Sequence, residues 1–229
     1  MTTSIYAENS GSVVTVHGFM RSSKSMAVMA SSIGKEGWRV LNWSYPSRSK
    51  YIEEHAEELV NRLKILSHKY PDRPISFVTH SLGALIVRST LNHPDCPSEA
   101  KKGCAVLIAP PNRGAYFARY LHRYPLFRKI LGEKAGQELM TTPRDGFDHL
   151  GDFPNQMPIL IISGTGGTNP IIPDLNDGKV GLKETCLSTS HYHQTTPSRH
   201  TWICYKSDVI KKTKKFLFIY GTGGSQENR

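Results

Sequence analysis

Residues 75–87 read Ile75-Ser76-Phe77-Val78-Thr79-His80-Ser81-Leu82-Gly83-Ala84-Leu85-Ile86-Val87. The first five form a short, apolar, strand-like run, and residues 82–91 have helical patterning. A strand that passes into a helix across one serine turns so tightly that its neighbours must be small, which is the physical content of a G-x-S-x-G pattern. Here the pattern is Thr79-His80-Ser81-Leu82-Gly83, with glycine at the last position and threonine at the first. Ser81 is therefore a candidate nucleophile at the tip of a sharp turn. The competing reading is a serine that only caps the helix after it.

Outward from this stretch, apolar runs alternate with helical patterns. Residues 12–17 (SVVTVH), 38–43 (WRVLNW), 105–109 and 159–163 read as further strands. Residues 24–35 carry Met26, Met29, Ala30 and Ile33 at helical spacing. Residues 51–69 form the clearest helix, with Ile52, Ala56, Leu59, Leu63 and Leu66 on one stripe and four glutamates near its start, where the helix dipole favours them. Strand and helix in strict alternation predict an α/β fold with a central, mostly parallel sheet flanked by helices. Between Gly114 and Pro158 lies an insert with one basic amphipathic helix over residues 115–129 and a loose stretch over 141–158. It reads equally as a small helical cap over the sheet or as an ordinary crossover. Residues 207–220 close the chain as a helix with Val209, Ile210, Thr213, Phe216, Leu217 and Tyr220 on one face and Lys211, Lys212, Lys214 and Lys215 on the other. The whole chain, residues 1–229, reads as a single domain.

Composition narrows the classes. The chain has 229 residues, 38% hydrophobic and 21% charged, enough to bury a core without staples. Twenty-nine Lys and Arg against 19 Asp and Glu leave a formal charge of +10, compatible with an anionic partner. The basic residues are dispersed and no nucleic-acid motif is present, so no nucleic-acid partner is expected. The lysine face and the arginines near the insert suggest peripheral contact with an anionic membrane surface. No apolar stretch is long enough to span a membrane and the first twelve residues lack an apolar signal core, so a cytoplasmic location is expected. Cys96, Cys104, Cys186 and Cys204 form no CxxC pair, so no metal site is expected and thiols in a reducing compartment are the simplest reading. A Cys186–Cys204 disulfide is left open, as is the oligomeric state.

An acyl-transfer site needs donors for an oxyanion, and a serine needs a base held by an orienting acid. The backbone N–H of Leu82, just after Ser81, is one donor candidate. Phe19 is the other, because Gly18 lets the chain turn sharply after the strand ending in Val16-His17. His17 itself reads as a structural loop histidine. If the acid and base follow the serine in chain order, Asp177 in Asn176-Asp177-Gly178 leads over Asp174, and His200 leads over His191 and His193.

The segments VHGF (16–19), HSLG (80–83), IAPPNRG (108–114), NDGKV (176–180) and RHTWI (199–203) together resemble the α/β-hydrolase superfamily, and more narrowly its small bacterial serine lipase/esterase group. Thr79 and Arg199 depart from the residues frequent there, as does Ala84. The resemblance implies an α/β-hydrolase fold and a Ser81–His200–Asp177 triad, with Phe19 and Leu82 N–H groups as oxyanion donors. It further implies hydrolysis of a carboxylic ester, of lipid or other apolar acyl type, with no metal or organic cofactor. An acyltransferase with the same triad and a non-catalytic lipid- or partner-binding protein are the alternatives.

Overall fold

The computed structural model describes residues 11–223; residues 1–10, which include most of the segment without a signal core, lie outside them. Six strands form one sheet: β1 (Ser12–Val16), β2 (Arg39–Trp43), β3 (Ile75–His80), β4 (Ala105–Ile108), β5 (Ile159–Gly164) and β6 (Tyr192–Thr196). Their order is β2-β1-β3-β4-β5-β6 and every neighbouring pair is parallel. Side chains alternate between two faces as a strand's period of two requires. Val14, Val16, Phe77, Leu107 and Ile161 join one apolar layer, while Val13, Val78, Val106 and Leu160 join the other.

Helices α2 (Ile52–Lys69) and α3 (Leu82–Asn92) cover the first face, with Leu59, Leu63, Leu85 and Val87 in its layer. Helices α1 (Ala27–Gly34) and α7 (Ser207–Tyr220) cover the second through Met29, Ile33, Val209, Phe216 and Leu217. Parallel strands need such crossover helices, and helices on both faces bury the central strands β1, β3, β4 and β5. The lysine face of α7 is partly paired within the chain: Lys214 binds Glu36 and Lys212 approaches Asp208 at 3.5 Å. Among the described residues no helix is long and apolar enough to cross a membrane.

Two local expectations are corrected, and one left open is decided. The helix expected over residues 115–129 is two helices, α4 (Tyr116–Leu121) and α5 (Pro125–Leu131). Pro125 starts the second, and the residue before a proline is driven out of the helical region, as the ψ of 121° at Tyr124 records. A further helix, α6 (Ala135–Thr141), follows. Strand β6 was not among the expected strands, because Tyr-His-Gln-Thr-Thr is a polar edge strand with four exposed residues in five. Cys186 and Cys204 are both free, so the disulfide left open is not formed.

The chain runs from β1 outward to β2, then returns past β1 to β3 and continues the other way. The carboxyl ends of β1 and β3 therefore flank a topological switch point, the crevice where open α/β sheets bind ligands. The start of α3 presses against the end of β1 there. A Cβ added to Gly83 would lie 2.7 Å from the Val16 carbonyl oxygen and 2.9 Å from that of His17, and backbone cannot swing aside. Gly83→Ala should therefore lower the free energy of unfolding by about 1–3 kcal/mol, the usual cost of forcing extra volume into a packed site. Urea denaturation of the variant measures this.

Candidate active site

Ser81 links β3 to α3 with φ 52° and ψ −123°, a conformation that non-glycine residues rarely adopt. Its N–H donates to the Ile108 carbonyl of the neighbouring strand and its carbonyl accepts from Ala84 N–H, so both sides of the strained residue are tied down. The approach to the turn is close on the β1 side too. A Cβ on Gly18 would meet His80 Nδ1 at 2.9 Å and Ser81 Cβ at 3.1 Å. Thr79, at the first small position of the pattern, is fully buried, and its hydroxyl finds no partner there.

The loop after β1 is a second built turn. Arg21 N–H donates to the Gly18 carbonyl, and Met20 sits between them at φ 55°. Met20 N–H is used by the Ser47 hydroxyl at 2.8 Å. Phe19 lies at the outside of this turn and lines the same cavity as Ser81. Leu82 opens α3, where the first N–H groups have no partner inside the helix. Of the two residues expected to offer oxyanion donors, Phe19 thus shares a cavity wall with Ser81 and Leu82 follows it in the chain.

His17 holds the first turn in place. Its Nε2 accepts the Tyr45 N–H, which leaves Nδ1 as the donor to the Gly18 carbonyl at 2.9 Å. The Tyr45 hydroxyl donates to the His17 carbonyl, and the two rings stack 4.1 Å apart. This is a structural histidine whose partners the sequence alone did not identify.

Asp177 and His200 meet on the other side. His200 Nδ1 donates to Asp177 Oδ2 at 2.6 Å, while Asp177 Oδ1 accepts the N–H groups of Lys179 and Val180. Gly178, at φ 98°, supplies the bend that brings those two amides back onto the carboxylate. A backbone bond from His200 N–H to the Asp177 carbonyl doubles the link. Gly164 ends β5 where the two loops converge. A Cβ there would fall 2.6 Å from the Ser198 oxygen and 2.7 Å from Asp177 Cβ. Asp174 spends its two oxygens on the N–H groups of Leu175 and Lys183. His191 and His193 bond to Thr189 and Ser163, away from Asp177.

Ser81, His200, Phe19 and Leu139 share the wall of a cavity of about 390 Å³. The wall is mostly apolar, and much of it comes from residues 115–140: Phe117, Ala118 and Leu121 from α4, Leu139 and Met140 from α6. Arg21 and Lys179 add two cations. Two glutamates help to anchor the insert. Glu138 accepts the Ile52 N–H at the start of α2, and Glu184 accepts the Tyr116 N–H. Ser81 and His200 face each other across this cavity without a hydrogen bond between them. No cluster of metal-ligating groups lines this cavity among the described residues; the one such cluster found among them, Cys186 with His191 and His193, lies elsewhere.

Residues 7–107 match a family described as "Putative serine esterase (DUF676)", a stretch just under half the chain that includes Phe19, Ser81 and Leu82 and ends before Asp177 and His200. Lipase BlEst2 of Bacillus licheniformis in its mature form is similar in structure, with a TM-score of 0.70 and 19% identity over 92% of this chain and 90% of that one. The esterase Pf2001 of Pyrococcus furiosus has a TM-score of 0.62 and 16% identity over 94% and 84%. Phospholipase PlaB of Legionella pneumophila has 0.57 and 14% over 76% of this chain and 45% of its own. No curated protein matches the sequence. The chain has the α/β-hydrolase fold of these neighbours, and the partial family match supports a carboxylic ester hydrolase.

His80 lies directly beside the pair. Its Nε2 donates to the His200 carbonyl at 3.1 Å and its ring lies 4.8 Å from that of His200. Burial, reinforced by the neighbouring His200, pushes the His80 pKa well below the ordinary 6.5. Burial lowers His17 as well, against the opposing pull of its two backbone bonds. Both imidazoles are neutral in the fold, whereas the unfolded chain takes up protons there below about pH 6.5. Their contribution is therefore complete above pH 6.5 and is lost as pH falls from 6.5 toward the lowered folded values. The thermal midpoint should drop between pH 6.5 and 5. A midpoint unchanged across that interval would show that the two rings are not held neutral.

Proposed function

We propose that this chain cleaves carboxylic esters with apolar acyl groups through an acyl-enzyme on Ser81. One observation carries the reading: the strained Ser81 opens into an apolar cavity whose wall also contains His200, itself bonded to the buried carboxylate of Asp177. A serine hydroxyl is a weak nucleophile until a base takes its proton as it attacks. With Nδ1–H committed to Asp177, the free lone pair of His200 is on Nε2, the nitrogen able to accept that proton.

In the first half-reaction Ser81 Oγ bonds to the ester carbonyl carbon, its proton passes to His200 Nε2, and the carbonyl oxygen becomes an oxyanion. The N–H groups of Phe19 and Leu82 are the donors for that charge, set in place before the reaction. The C–O bond to the alcohol then breaks and His200 returns the proton to the leaving oxygen. Water repeats the sequence: it attacks the acyl carbon, gives a proton to His200, and the acid leaves as Ser81 regains its proton. Asp177 keeps the imidazole in one tautomer and stabilises the imidazolium that forms in each half. Phe117, Leu121, Leu139 and Met140 suit an acyl chain, and the cations Arg21 and Lys179 suit a polar or anionic end of the substrate.

Ser81→Ala should reduce ester hydrolysis by about 10⁴–10⁶ and abolish labelling by a serine-reactive phosphonate, with His200→Ala nearly as severe. Wild-type-like turnover in Ser81→Ala would end the proposal. Across p-nitrophenyl esters of rising length, kcat/KM should increase up to about fourfold per methylene, the equivalent of about 0.8 kcal/mol per buried CH₂, until the cavity is full. Product analysis with an added alcohol separates hydrolysis from acyl transfer. An acyl ester of the alcohol as main product would assign the second half-reaction to transfer.

A further inference from the structure

Cys186, His191 and His193 come together at the outer edge of the sheet, with one potential ligand atom from each lying within 4.8 Å of the other two. Cys186 follows the short turn Leu182–Thr185, His191 precedes β6, and His193 lies on β6 opposite Ile161 of β5. None of the three lines the Ser81 cavity.

The proton arrangement around the two histidines can be worked out from the hydrogen bonds. Thr185 Oγ1 donates to the Leu182 carbonyl at 2.7 Å, so toward Ser163, 2.8 Å away, it accepts. The Ser163 proton is then committed to Thr185, and Ser163 Oγ accepts from His193 Nε2 at 2.8 Å. His193 is therefore protonated on Nε2, and its Nδ1 lone pair faces Cys186 Sγ at 3.9 Å. His191 Nδ1 lies 2.7 Å from the Thr189 carbonyl, which only accepts, so Nδ1 carries the proton and Nε2 the lone pair. Each ring spends its N–H on a fixed protein acceptor and keeps a lone pair. Metal-binding histidines are held in this way, by a second partner that fixes tautomer and ring orientation. Ser163 and Thr185 are buried at 0% and 2% exposure, so the support behind His193 is part of the core and not a surface accident.

We infer that Cys186, His191 and His193 form a Zn²⁺ site that clips the edge strand β6 to the segment before it. One thiolate and two imidazoles make a sulfur–nitrogen donor set suited to tetrahedral zinc, with water in the fourth position. With Zn–S near 2.3 Å and Zn–N near 2.0–2.1 Å, tetrahedral ligand atoms stand about 3.3–3.6 Å apart. The Cys186–His193 separation is a few tenths of an ångström longer, within reach of side-chain rotation. Binding displaces the Cys186 thiol proton to solvent. The clip closes directly after residues 176–181, the turn that holds Asp177. It stands independently of the function proposed above.

The test is Co²⁺ titration of chelator-treated protein without a histidine tag, followed by displacement with Zn²⁺. One equivalent of Co²⁺ should give a thiolate-to-cobalt charge-transfer band, and one equivalent of Zn²⁺ should remove it and raise the thermal midpoint. Cys186→Ser should lose the band while keeping its circular dichroism and ester hydrolysis. His191→Ala and His193→Ala should each weaken binding at least tenfold. Ser163→Ala, which removes only the support, should weaken it about 10–100-fold. Absence of a stoichiometric band in the parent protein overturns the inference. So does a band that survives Cys186→Ser, or one indifferent to both histidine substitutions.

Discussion

The left-handed backbone at Ser81 is the constraint on which the rest of the structure turns. A residue held at that φ persists only when its surroundings over-determine it. Here β4 takes the serine's N–H, the first turn of α3 takes its carbonyl, and the end of β1 lies against both through Gly18 and Gly83. Any loosening of the β1–β3–α3 contact lets the serine relax. The glycines mark where three backbones come as close as van der Waals contact permits. The apolar layers on both faces of the sheet keep them there.

Around that strained point the protein gathers imidazoles with assigned protons. His17 holds the Gly18 turn through Nδ1 while accepting from Tyr45, and His80 reaches the His200 carbonyl. Burial keeps both neutral, which suits their place: a second positive charge 4.8 Å from the His200 ring would oppose an imidazolium there. The neighbours of the candidate base are thus arranged so as not to compete with it for a proton.

The sheet was legible in the sequence wherever strands are buried. Runs such as Ile75–Thr79 and Ile159–Ser163 are apolar because both faces of a parallel sheet are covered. Strand β6 escaped because it is an edge whose side chains face water, so Tyr-His-Gln-Thr-Thr carries no hydrophobic signal. Pro125 did carry a signal, and it outweighs the helical pattern running through residues 115–129. As for the site, the order of Ser81, Asp177 and His200 named residues that the fold brings to one region. The wall over them was not legible, since which side of α4 and α6 faces Ser81 depends on tertiary contacts at Glu138 and Glu184. The Cys186–His191–His193 cluster was equally hidden. Its short spacing resembles no familiar metal motif, and only the register of β6 against β5 sets His193 over Ser163.

The double link between Asp177 and His200, one bond through side chains and one through backbone, makes their two loops a single mechanical piece. His80, the residue before Ser81, binds the His200 carbonyl and fastens that piece to the end of β3. A push on either loop is therefore passed to the other and on to the strained turn. Loops on a protein surface ordinarily move and vary one by one. These two, distant in sequence, are denied that independence and behave as one part.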